Sequence, residues 1–109
     1  MDRLDITGLP EDPLAAAAHF YSKVMPGIGA EGDLTLVFPA ADHTHRAWRL
    51  AAIEGLARAR VPGRINAVSG GNSATIAAAL AYLAAAPGVT GQYLPLDDSG
   101  AGGVIPSSP

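Results

Sequence analysis

The sequence predicts an α/β domain of about four largely parallel strands alternating with three helices, stacked in two or three layers. Three observations predict it. Two short apolar runs, 33–38 and 65–68, are too short for helices and rich in strand formers, so they read as buried strands. Each is followed by a longer stretch that opens on a capping residue and closes on Pro and Gly. The elements then run strand, helix, strand, helix, strand, helix, strand, an order that implies parallel pairing through right-handed crossovers.

Taken in order, Arg3 to Leu9 alternates in part and reads as a short first strand, broken by Pro10-Glu11-Asp12-Pro13. Asp12 as N-cap and Pro13 at the first helical position start a helix that runs to about Met25. Pro26-Gly27 and Gly29 end it, and Asp33 to Phe38 forms the second strand. Asp42 or Thr44 caps the second helix, which reaches about Ala59 before Pro62-Gly63. Ile65 to Val68 is the third strand and Ser69-Gly70-Gly71-Asn72 a tight turn. Asn72 or Ser73 caps the third helix, which ends near Ala86, and Gly91 to Leu96 is the last strand. Residues 1–100 fit one domain, and the Ser-, Gly- and Pro-rich residues 101–109 read as a flexible tail.

Composition narrows the function classes. Only 16% of the 109 residues are charged, against about 25% in soluble domains generally. The net charge of −3 and the lack of a basic patch argue against nucleic-acid binding. Arg58, Arg60 and Arg64 read as a solvated helix end favoured by the helix dipole. The absence of Cys removes disulfides, thiolate nucleophiles and zinc-thiolate sites and suits a reducing cytoplasm. The charged start of the chain does not resemble a signal peptide, and the longest apolar stretch, 74–86, is too short to span a bilayer. The expectation is a cytoplasmic protein without membrane contact.

Three segments together resemble the short-chain dehydrogenase/reductase family. His19 to Pro26 followed by 32–37 is similar to a crossover helix and the strand that carries the family's catalytic Ser. Ala51 to Ala57 followed by Arg64-Ile65-Asn66-Ala67-Val68 resembles the catalytic helix and its Arg-Val-Asn-Ala-Val strand. Ile76 to Leu83 followed by Thr90-Gly91-Gln92 and Leu94 to Asp97 resembles the closing helix and strand. The resemblance covers roughly residues 12 to 100 and implies the C-terminal half of a Rossmann-like fold. It also implies what is lacking. No Gly-rich turn for a dinucleotide precedes the first strand. The family's Ser, Tyr and Lys positions fall near Pro39, Arg46 and Leu50, none of which transfers a proton near neutral pH. No catalytic residue, cofactor or metal ligand is expected.

Other chemistry is sparse. His43 and His45, within Asp42-His43-Thr44-His45, do not share a helix face and read as solvated polar residues. Ser69, Gly70, Gly71, Asn72 and Ser73 form a turn whose helix-terminal amides could hold an anion. A tight turn with an N-cap explains the same residues, and no Lys or Arg follows to pair with a phosphate. Asn66 reads as a packing residue, Asp97-Asp98 as solvent-facing, and His19 and Tyr21 as core or interface.

The strongest functional signal is the distribution of charge. No Asp, Glu, Lys or Arg occurs from Ile65 to Leu96, so the third helix is apolar all round and should be covered on both sides. On the second helix, Trp48, Ala51, Ala52, Gly55, Leu56 and Ala59 form a wide face read as core. Leu50, Ile53 and Ala57 form a second stripe framed by Arg46, Arg49, Glu54, Arg58 and Arg60, read as a subunit contact. Ile76, Leu80 and Leu83 are its counterparts on the third helix. The resemblance implies association through these same elements. The sequence thus leads to a non-catalytic protein that acts by self-association, as a homodimer or homotetramer, or by docking to a full-length reductase subunit. The alternative is a small-molecule or nucleotide binder using the Ser69–Ser73 turn.

Overall fold

A computed structural model describes residues 2–29 and 31–97. Asp98 and the expected tail 101–109 lie outside the described residues. The strands β1 (Asp2–Asp5), β2 (Leu34–Phe38), β3 (Ile65–Gly70) and β4 (Tyr93–Leu96) form one sheet in the order β1-β2-β3-β4, with every pair parallel. The helices α1 (Pro13–His19), α2 (Arg46–Arg60) and α3 (Ser73–Ala84) connect them. Their caps follow the sequence: Asp12 accepts from Ala15 N ahead of Pro13, and Asn72 and Thr75 form a reciprocal capping box on α3. A 3-10 turn at His43–His45, capped by Asp42, precedes α2.

The first helix departs from the expected single span to Met25. After His19 it widens into a π-helical turn over Phe20–Val24 and tightens into a 3-10 turn over Met25–Gly27. The Ser22 hydroxyl donates to the Ala18 carbonyl at 2.8 Å, an acceptor that a regular helix reserves for a main-chain amide. The widened turn carries Phe20 inward, where it is fully buried against Phe38 and Trp48.

Both faces of the sheet are apolar, which is why the fold has three layers. Leu34, Leu36, Phe38, Ile65 and Ala67 share a core with Phe20 and with Ala52, Ile53 and Ala57 of α2. Val37 and Val68 point the other way, onto Leu83 and Ile76 of α3. The strands step in one direction across the sheet while α3 lies on the face opposite α1 and α2. The β3-α3-β4 crossover therefore has the opposite hand to the first two. This corrects the expectation of uniformly right-handed connections. Val37 and Val68 need an apolar cover, and α3 provides it. The link from α3 to β4 is pinned from β3: the Asn66 side chain donates to Val89 O and accepts from Gln92 N, and Thr90 Oγ1 accepts from Ile65 N.

β1 is an edge strand and carries Asp2, Arg3 and Asp5, all exposed; such charges discourage further strand pairing.

Two arginines read as solvated prove structural. Arg60 is 7% exposed and donates to the carbonyls of Gly29, Glu31 and Gly32. Arg64 pairs with Asp33 through both Nε and Nη2 and donates from Nη1 to Leu83 O and Ala86 O, closing the C-terminal end of α3. Asp33 is held below its ordinary value of 3.8, first by the Arg64 main-chain amide and then by its guanidinium. Only Arg58 of the three stays exposed.

Candidate functional site

Open parallel sheets present their ligand-binding crevices at the carboxyl ends of the strands. Here that end is formed by the segment after β1, the loop after β2 (Pro39 to Asp42), and the first turns of α2. Together they enclose a cavity of about 290 Å³, with Glu11, Asp42, His45 and Arg49 among its walls.

Arg49 is the residue that sequence reasoning misplaced most. It was expected at the charged rim of α2, yet it is 2% exposed. Nη1 donates to Pro39 O at 2.9 Å and to the Tyr93 hydroxyl at 3.2 Å, and Tyr93 in turn donates to Ser69 Oγ at 3.0 Å. The guanidinium carbon stands 4.6 Å from the Phe38 ring centroid and 5.7 Å from that of Trp48. One arginine thus ties the ends of β2, β3 and β4 to α2. No spacing rule announces such a contact, because Tyr93 is 44 residues away.

His45 is fixed from both sides. Its Nδ1 accepts from the Trp48 indole N–H at 3.1 Å, so Nε2 carries the proton and donates to Glu11 O at 2.9 Å. Neither nitrogen has a lone pair free for a substrate. Asp42 accepts from the amide and the hydroxyl of Thr44, and the hydroxyl bond, followed by the amide bond, holds its carboxyl below the ordinary value. His43 is exposed. The Asp42–His45 stretch builds a helix start, and no group of three or more His, Cys, Asp or Glu able to hold a metal occurs among the described residues.

In the Ser69–Ser73 turn, Asn72 and Ser69 are bonded within the chain. Asn72 Oδ1 accepts from Thr75 N, and Thr75 Oγ1 accepts from Asn72 N. Ser69 is buried under Tyr93. Gly71 has φ +78°, and a Cβ there would lie 2.6 Å from Thr75 Oγ1 and 3.0 Å from Leu96 Cβ. The turn is tight because β4 closes over it.

The six residues expected at an interface divide. Ile53, Ala57 and Leu83 lie inside the chain's own core at 0%, 6% and 0% exposure, so they cannot face a partner. The helix α2 is rotated from the expected orientation: its inner line is Arg49, Ala52, Ile53, Ala57 and Arg60, while Ala51 and Ala59 are exposed. Two large arginines can sit on that line because neighbouring carbonyls and aromatic rings accept them. Leu50, Ile76 and Leu80 are half-buried. On α3 the outer face consists of exposed Ala74, Ala77, Ala78, Ala81 and Tyr82.

A family model described as short chain dehydrogenase-like protein, SDR-like, matches residues 4–96. The chain belongs to this family. No curated protein and no solved structure matches it. Within the SDR-like frame, the positions that the resemblance assigns to Ser, Tyr and Lys hold Pro39, whose carbonyl Arg49 occupies, Arg46, exposed above the Tyr93 ring, and half-buried Leu50. No helix among the described residues is long and apolar enough to cross a membrane.

Proposed function

We propose that this SDR-like protein is non-catalytic and acts through self-association, with the outer face of α3 as the contact. One observation carries the reading. The exposed face of α3 is made of Ala74, Ala77, Ala78, Ala81 and Tyr82, Tyr82 is 59% exposed, and the helix has no charged residue. A water-facing helix surface is ordinarily polar, and an uncharged one marks a contact. Small side chains let a second helix approach closely, and Tyr82 supplies an amphipathic anchor of the kind enriched at interfaces. A second copy of the chain is the partner, in a homodimer or homotetramer; a full-length reductase subunit is the heteromeric version of the same contact. Pro39, Arg46 and Leu50 support the absence of hydride-transfer chemistry, since none can serve as a proton donor and acceptor near neutral pH. The Ser69–Ser73 turn has less support as a ligand site, because the Asn72 amide and side-chain oxygen are bonded to Thr75 and the Ser69 hydroxyl to Tyr93.

Sedimentation equilibrium of the purified chain tests the proposal. A dimer or tetramer at micromolar concentration is expected, and Tyr82→Asp should convert it to monomer without loss of helical signal. A monomeric wild-type chain overturns self-association. An oligomer untouched by Tyr82→Asp overturns the choice of face.

A further inference from the structure

A guanidinium is a cation, and burying such a charge is costly unless a counter-charge or full hydrogen bonding offsets it. In this protein the offset is incomplete. Neither the Arg3–Asp5 nor the Arg64–Asp33 ion pair involves Arg49. Its bonded acceptors, Pro39 O and the Tyr93 hydroxyl, are both neutral, and its Nε is buried with no hydrogen-bond partner. Arg60 shows what full neutral coordination looks like here, with all three guanidinium nitrogens on carbonyls. Arg49 instead borders the cavity at the strand ends.

We propose that this cavity binds a small carboxylate that also bears a hydrogen-bond donor, an amino acid or hydroxy acid, with Arg49 as its carboxylate-binding residue. Nη1 is engaged with Pro39 O and the Tyr93 hydroxyl and Nε is enclosed, so the guanidinium charge and Nη2 remain for a carboxylate. The cavity, about 290 Å³, is at the small end of ligand sites, which commonly run from about 300 to 1,000 Å³, so a ligand of few heavy atoms fits. Asp42 and Glu11 on the same walls repel a phosphate dianion more than a singly charged carboxylate and offer acceptors to an ammonium or hydroxyl group. Proton transfer to the ligand is not part of the site, because both nitrogens of His45 are committed to Trp48 and Glu11. The proposal is independent of self-association through α3, which lies on the other face of the sheet.

The test is an amide chemical-shift titration of the full chain with glycine, sodium acetate, inorganic phosphate and sodium chloride at matched ionic strength. Glycine is expected to give saturable shifts confined to residues 9–11 and 39–49, with acetate weaker and phosphate and chloride without site-specific effect. Ala41→Leu fills the cavity from an exposed loop position without touching a bond of Arg49, and should weaken glycine binding at least about tenfold. Arg49→Lys should do the same; if it fails to fold, Ala41→Leu decides. Glycine and acetate shifts no larger than those from chloride, or glycine binding unchanged in Ala41→Leu, overturn the proposal. Phosphate binding more tightly than glycine overturns the choice of ligand.

Discussion

Replacing Arg60 by Met keeps most of the aliphatic stem and removes the charged head. In the folded chain that head donates from Nε to Gly32 O at 2.7 Å, from Nη2 to Glu31 O at 2.6 Å and from Nη1 to Gly29 O. Hydrogen bonds to a charged group contribute about 1.5–3 kcal/mol each. Their sum is an upper bound, for two reasons. Gly29, Glu31 and Gly32 are exposed, so water re-solvates their carbonyls once the guanidinium is gone. The variant also no longer desolvates a charge. A net loss of about 2–3 kcal/mol remains. At about 4–8 °C per kcal/mol for a domain of this size, Tm should fall by about 10–20 °C. Thermal melts followed by circular dichroism measure it, with Arg58→Met as the companion. Arg58 lies two residues away and is exposed, so its loss should stay within about 0.5 kcal/mol. Equal Tm values for the two variants would refute the assignment of Arg60 as the clamp on Gly29, Glu31 and Gly32.

Ile53→Ala removes a fully buried side chain from the α2 core and should cost about 2–5 kcal/mol in urea denaturation of the monomeric Tyr82→Asp background; a change confined to oligomer dissociation would instead return Ile53 to an interface. Asp33 gives a pH dependence with a defined sign. Its folded-state pKa is below 3.8 because of Arg64, so its contribution is complete above that value and disappears as pH falls through the folded pKa. The stability gap between wild type and Asp33→Asn should therefore be open near neutrality and close on acidification below about pH 3.8. Urea midpoints measured down the acid range check it, and a gap independent of pH would count against the Asp33–Arg64 pair.

The element order was legible because local signals act over a few residues. Asp12-Pro13, the Asn72 cap and the Pro-Gly stops set helix ends without reference to the rest of the chain. Three strands appeared within two residues of their bounds, β3 running on to Gly70 where Val68 was expected and β4 starting at Tyr93 rather than Gly91, whereas β1 ends at Asp5, four residues before the expected Leu9. The orientation of α2 was not legible. Its apolar and small residues allow more than one inner face, and placing Arg49 and Arg60 outside is the ordinary rule for charge. Their partners lie 10 to 44 residues away, in loops and on β4, whose positions only the assembled sheet defines.

By itself, then, the sequence determined the α/β class, the alternating elements, the family resemblance and the shortage of charge from Ile65 to Leu96. Each depends on residue types at short spacing. Tertiary structure decided which face of the sheet α3 covers, which arginines are buried, and that buried Arg49 borders a cavity at the strand ends. Those outcomes depend on carbonyls, rings and hydroxyls brought together from distant parts of the chain. A side chain as long as arginine's follows its acceptors, and packing alone decides where those acceptors are.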